Sequence, residues 1–278
     1  MSKPRKPSLS PSASGMWHQC PKKWEFRYIK GIKEPSTRAT LLGTFVHEIL
    51  EELFALPAAE RTLEAARVCG REAWPNVAGN DEFVALGLSA DEVSEFHKDA
   101  WRLVNTYFDM EDPSSVEPLG LEMELDVDVE GVPFFGYIDR VDQEGDKRIV
   151  TDYKTGKSPK PQYSGDKLNQ VNFYAAALEA TDGKPVNGVR IIFLGDGREL
   201  TADVTPETVA ETQVLLQNTW AEITEAKETG NFPHKVGPLC GWCYHVEDCE
   251  AGAAEVRSRF IRGRMRAGAP AVAKLGLQ

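Results

Sequence analysis

Apolar residues recur along the chain in two rhythms. In "TLLGTFVHEILEELF", Leu42, Phe45, Val46, Ile49 and Leu53 share one face at the 3.6-residue period, which predicts an amphipathic helix. From Leu56 to about Met110 the pattern stays helical but more polar, broken at "WPNVAGND" and resumed through "DEVSEFHKDAWRLVNTYF". At residue 119 the period drops to two. "LGLEMELDVDV" sets Leu119, Leu121, Met123, Leu125, Val127 and Val129 on one face and Glu122, Glu124, Asp126 and Asp128 on the other, the signature of a half-buried strand. "VPFFGYIDRVD" and "KRIVTDYKTG" predict two further strands, and the connectors "EG" and "QEGD" make the three an antiparallel meander. A helix through "KLNQVNFYAAALEA", strands through "VNGVRIIFLGDG" and "ELTADVT", and a long helix opened by Thr205-Pro206 follow. The expected fold is α/β (α+β): a central mixed sheet flanked by helices, with a helical insertion at 57–117.

Composition narrows the setting. The 278 residues are 41% hydrophobic, enough for a sizeable core. The first twenty, "MSKPRKPSLSPSASGMWHQC", lack the apolar run of a signal peptide, and no later stretch reaches the ~18 apolar residues of a membrane span. A soluble, cytoplasmic protein is expected. Residues 1–14, rich in Pro and Ser, and the basic tail 251–278 are expected to be flexible, leaving 15–250 as a single domain. The net charge of −11, from 32 Lys+Arg against 43 Asp+Glu, argues against a bulk electrostatic grip on nucleic acid, so local charge must decide that question.

The meander carries acids that a plain sheet does not need. Asp152 and Lys154 point to one side of their strand while Tyr153 points away, and Asp139 can join them from the neighbouring strand. Two carboxylates ~4 Å apart repel by roughly 4 kcal/mol at an effective dielectric near 20. A divalent cation between them reverses that sign, and hard oxygen donors suit Mg2+ or Mn2+. Such an ion can generate hydroxide and neutralise a phosphodiester, with Lys154 adding a point charge or positioning the water. Solvated residues at a strand end are the plain alternative.

"GYIDRVD", "IVTDYKTG" and "QVNFY", in that order, resemble the motif series of RecB-type nucleases in the PD-(D/E)xK superfamily. The resemblance implies that Asp139, Asp152 and the backbone carbonyl of Tyr153 bind metal and that Lys154 is catalytic. It further implies that Gln170 and Tyr174 face the site and the DNA. It also places a His on an upstream helix, for which "GTFVHEILEEL" offers His47 as a further ligand. Glu122 and Glu124 are candidates for a second-metal or water-positioning acid, against the ordinary reading of an alternating solvated face.

The cysteines divide into one and three. "LCGWCYHVEDC" supplies Cys240, Cys243 and Cys249, Cys20 lies more than two hundred residues earlier, and Cys69, inside a helical pattern, reads as a small buried hydrophobe. One Cys before the core and three after it resembles the iron–sulfur branch of RecB-type nucleases. That implies a 4Fe-4S cluster in a cap made of both chain ends, with zinc as the alternative for a thiolate tetrad.

Basic residues gather as Lys22, Lys23, Arg27, Lys30 and Lys33, as Lys154, Lys157, Lys160 and Lys167, and as Arg257, Arg259, Arg262, Arg264 and Arg266, while Trp24, Tyr28 and Trp242 could stack on bases. No G-x-x-x-x-G-K-S/T phosphate loop is present, so no helicase motor is expected in these residues. The resemblance implies a metal-dependent DNA nuclease, an exonuclease on single strands or DNA ends in recombination, repair or phage DNA metabolism. A spacer-processing nuclease of CRISPR adaptation, with its partner proteins, is one alternative, and a non-catalytic, metal-stapled DNA-binding or adaptor protein is another.

Overall fold

The computed structural model describes residues 7–266 and 268–277. Its elements in chain order are α1 (Pro11–Gln19), α2 (Pro21–Tyr28), α3 (Arg38–Ala55), α4 (Leu63–Ala78), α5 (Asp81–Val84), α6 (Ala90–Met110), β1 (Glu117–Val129), β2 (Val132–Glu144) and β3 (Lys147–Lys154). There follow α7 (Ser164–Asp182), β4 (Gly188–Phe193), β5 (Arg198–Asp203), α8 (Pro206–Thr229), α9 (Glu250–Ile261) and α10 (Pro270–Lys274). The chain divides into two compact units: Pro35–Gln217 with the residues up to Pro11, and Ser12–Glu34 with Asn218–Gln278.

The first unit holds a five-stranded mixed sheet in the order β1-β2-β3-β4-β5. The β1/β2, β2/β3 and β4/β5 pairs are antiparallel, and β3/β4 is parallel with α7 as its crossover. The β1–β2 hairpin turns on Glu130 (φ 49°) and Gly131 (φ 85°), the two left-handed positions of a tight two-residue loop, with Asp128 Oδ1 accepting the Gly131 N–H at 2.7 Å. Helix α3 starts at Thr37, whose side chain accepts the N–H of Thr40, and it buries all five residues of its apolar stripe. Ser89 and Glu92 close a capping box on α6.

The break expected within "WPNVAGND" falls at Gly79–Asn80, past Pro75, which α4 carries inside it at the loss of one backbone hydrogen bond. The helices of the 57–117 segment pack into the same core as the sheet. Phe96, Leu103, Val104 and Tyr107 of α6 share one apolar cluster with α3, α4 and the sheet residues Tyr153 and Ile192. Of the 1–14 segment, residues 1–6 lie outside the described residues, but Leu9 is buried and bridges β2 in parallel, its N–H bonded to Pro133 O (2.7 Å) and its O to Phe135 N (2.8 Å).

In the second unit Trp17, Trp24 and Phe232 pack as an aromatic core, with ring centroids 5.6–6.3 Å apart. The 251–278 tail, expected to be flexible, forms α9 and α10 and buries Val256 and Ala271 with Val246 and Ala253. Its Ala and Gly are the small side chains that let short helices pack closely. Among the described residues no helix is long and apolar enough to cross a membrane.

Candidate metal centre and cysteine cavity

Strand β2 brings Asp139 beside β3, in the step preceding the Arg140–Thr151 pair. Its Oδ2 accepts the Tyr153 N–H at 2.7 Å, so a carboxylate takes the place of the next ladder acceptor. From α3, His47 places Nε2 3.1 Å from Tyr153 O and Nδ1 3.6 Å from Asp139 Oδ1. With Nε2–H donating to that carbonyl, the Nδ1 lone pair faces Asp139. Gly43, one turn before His47, lets α3 come close: a Cβ there would lie 3.3 Å from Thr155 Oγ1.

The third donor comes from an irregularity in β1. The register on either side, Leu121 with Arg140 and Met123 with Ile138, sets Glu122 opposite Asp139, and Glu122 adopts the left-handed backbone (φ 40°). A bulge lies just upstream, between Pro118 and Gly120. The donor atoms of His47, Glu122 and Asp139 lie mutually within 4.8 Å. A cleft of about 450 Å³, lined also by Glu48 and Glu51, opens beside them. Glu124, the other acid considered, is exposed and accepts the Tyr137 hydroxyl at 2.7 Å. Strict alternation thus fails where it matters: Leu119 is half exposed and Glu122 is half-buried.

Burial and mutual repulsion shape the electrostatics of these acids. Burial, with Asp139 and Glu51 nearby, pushes Glu122 up to about 7. Asp152 is pushed to about 6, by burial first, with Lys154 opposing and Asp139 adding. Burial works against protonation of His47, yet the neighbouring Asp139, Asp152 and Glu122 outweigh it and raise its pKa. Two half-buried carboxylates plus one imidazole are a donor set that fits a divalent cation.

Lys154 and Tyr174 lie beside this centre. Lys154 Nζ binds both oxygens of Asp152, at 2.9 and 2.8 Å. Tyr174 reaches the same region from α7: the charges of Asp152, Asp139 and Glu122 add to the burial that raises its phenol. Gly136 makes room for it, since a Cβ there would sit 2.7 Å from Tyr174 Cε1. Gln170, one turn earlier on α7, is half-buried.

Behind β3 lies a network the sequence reading missed. Arg140, fully buried, meets Glu111 with a two-pronged contact (2.9 and 3.0 Å) and Asp142 at 2.7 Å, and donates to the Tyr153 hydroxyl at 2.6 Å. Thr151 donates to Asp142 at 2.7 Å. An arginine between Ile138 and Val141 in a strand flanked by apolar residues was the available signal.

In the second unit a cavity of about 180 Å³ is lined by Cys20, Cys240, Cys243 and Cys249. Cys20 and Cys249 occupy the N-cap positions of α2 and α9. Cys249 Sγ accepts the Gly252 N–H at 3.4 Å, and a Cβ on Gly252 would lie 3.2 Å from that sulfur and 3.9 Å from Cys240 Sγ. Burial raises the thiols of Cys240 and Cys243 above the ordinary thiol value. Cys69 sits in the apolar cluster of the other unit. Of the nearby histidines, His18 meets Thr219 Oγ1 at 3.0 Å and His245 is buried against Phe26. Trp24 is buried with its ring 4.9 Å from that of Tyr28, whereas Tyr28 and Trp242 are 44% and 43% exposed. Lys22, Lys23 and Lys30 are paired with Glu25 and Glu34.

The family described as the PD-(D/E)XK nuclease superfamily matches residues 8–250. The crystal structure of SSO0001 is similar at a TM-score of 0.44 and 12% identity, over 90% of this chain and 89% of that one. The crystal structure of a "Putative exonuclease" from Eubacterium rectale is similar at a TM-score of 0.50 and 10% identity, over 86% and 87% of the two chains. No curated protein matches the chain in sequence.

Proposed function

The chain belongs to the PD-(D/E)XK nuclease superfamily, and on that premise we propose that it is a Mg2+- or Mn2+-dependent deoxyribonuclease acting as an exonuclease on single strands or DNA ends. The observation that carries this reading is the convergence of His47, Glu122 and Asp139 beside the Asp152–Lys154 pair. A bound divalent ion would supply Lewis acidity toward the phosphodiester and a more acidic water. His47, Glu122 and Asp139 would hold it, with Asp152 and the Tyr153 carbonyl as the further ligands that the motif series implies. Asp139 is aimed by the Tyr153 N–H. Lys154 keeps its ammonium on Asp152, within reach of a developing phosphorane charge or the attacking water. Tyr174 and Gln170 flank the path of the strand on α7. The intact acid and lysine set disfavours a non-catalytic adaptor.

End-labelled single-stranded oligonucleotides incubated with Mn2+ should yield short products from one terminus, and chelator should stop the reaction. Asp139→Ala and Lys154→Ala should each lower the rate by at least on the order of 10²–10³-fold while keeping native circular dichroism. A wild-type protein inert with both metals, or an Asp139→Ala variant as fast as wild type, overturns the reading. A single internal cut would favour the spacer-processing alternative.

The cysteine cavity supports a second element of the proposal, a 4Fe-4S cluster held by Cys20, Cys240, Cys243 and Cys249. Four thiols on one small cavity fit such a group, which would staple the two segments of this unit. An anaerobic preparation should be brown; a colourless one with stoichiometric zinc would replace the cluster by zinc.

A further inference from the structure

Tyr153 is addressed from three directions at once. Its N–H holds Asp139 (2.7 Å), its carbonyl meets His47 (3.1 Å), and its hydroxyl receives Arg140 (2.6 Å) on the opposite side of β3. Its main chain therefore serves the metal centre, while its side chain belongs to a buried polar network. We propose that Arg140, acting through the Tyr153 hydroxyl, is a positioning residue for that centre: it fixes the peptide groups on either side of Tyr153 and so sets where Asp139 and His47 aim their donor atoms.

Two physical points favour this over simple stabilisation. A fully buried guanidinium with two carboxylates is expensive to desolvate, and well-packed apolar residues of similar volume commonly do as well or better for stability. The network is also over-determined. Glu111 grips the guanidinium at both prongs, Asp142, itself held by Thr151, forms an ion pair with Nε outside hydrogen-bond alignment, the Tyr107 hydroxyl donates to Glu111 at 2.5 Å, and Phe54 packs on the guanidinium face at 4.4 Å. So many constraints leave Arg140 one position, and the rigidity passes to the one β3 residue whose backbone touches both Asp139 and His47. Groups behind metal ligands commonly set affinity by 10–100-fold.

The inference rests on the proposed metal site, and its test separates the two. Tyr153→Phe removes only the hydroxyl and leaves the Arg140 contacts to Glu111 and Asp142 in place. Mn2+ binding, followed by the loss of the free-ion electron paramagnetic resonance signal on titration, should weaken by about tenfold or more. Arg140→Lys, which cannot hold the fork, should weaken it at least as much. A purely structural network predicts the reverse: a lower thermal midpoint for Tyr153→Phe with Mn2+ affinity within twofold of wild type, and that outcome overturns the positioning role even if Arg140→Lys fails to fold. Wild-type protein that binds no Mn2+ overturns the metal site itself.

Discussion

At the sheet, three polar groups of the candidate metal centre already lean on a protein partner: Asp139 on the Tyr153 N–H, His47 on the Tyr153 carbonyl, Asp152 on Lys154. Around the cysteine cavity the sulfurs have little of this. Cys249 accepts one backbone N–H at 3.4 Å, and the thiols of Cys240 and Cys243 are held neutral by burial. The difference teaches which site is preorganised. The first is framed by hydrogen bonds within the protein, and the second, on the proposed reading, would take its stiffness from the group that binds the thiols.

The sharpest way to break this comparison is to remove both anchors of the cavity. The Cys240→Ser/Cys249→Ser double variant should bleach the visible absorbance and lower the thermal midpoint by more than about 10 °C, yet retain Mn2+ binding at the sheet. If Mn2+ affinity disappears as well, the two sites are not independent.

A smaller effect is expected from pH. Glu122, Asp152 and His47 all have folded pKa values raised above their ordinary ones, the two acids to about 7 and about 6. Each therefore contributes stability that is present below its unfolded pKa and lost as pH rises through the folded value. In chelator the midpoint should fall by roughly 2–5 °C between pH 5 and pH 7.5. Saturating Mn2+ should reverse the loss, more at pH 7.5 than at pH 5, because protons compete with the ion. A midpoint rising across that interval in chelator would contradict the charge balance drawn for the site. The smallest change should come from Cys69→Ala: about 1 kcal/mol or less, measured by urea denaturation, with colour and Mn2+ binding untouched.

How much of this was legible beforehand depends on the range over which each feature is encoded. The stripe of α3 and the β1–β3 meander are local periodicities, and they stand where the sequence puts them. Glu122 was legible only as one of two candidate acids on an alternating face, since a single left-handed residue leaves no compositional trace in a Glu. Arg140 looked like an ordinary charged residue because its partner Glu111 lies on another element, 29 positions away. Leu9 is the same case over a longer span: its neighbours suggest a loose segment, and only pairing with residues 133–135 gives it a buried place. The tail from 251 onward misled through composition, since Ala and Gly suit close helix packing as well as they suit flexibility.

The cysteine cavity also has a place in time. Cys20 leaves the ribosome more than two hundred residues before Cys249, which at about 5–20 residues per second is roughly 10–45 s of synthesis. During that interval α3, the meander and α7 have all emerged and can form without it. If the four cysteines hold the proposed group, Cys20 must stay reduced and uncommitted until Cys249 has emerged, so that site would close late in synthesis. Its yield would then depend on the redox state and metal supply that the chain meets at that stage.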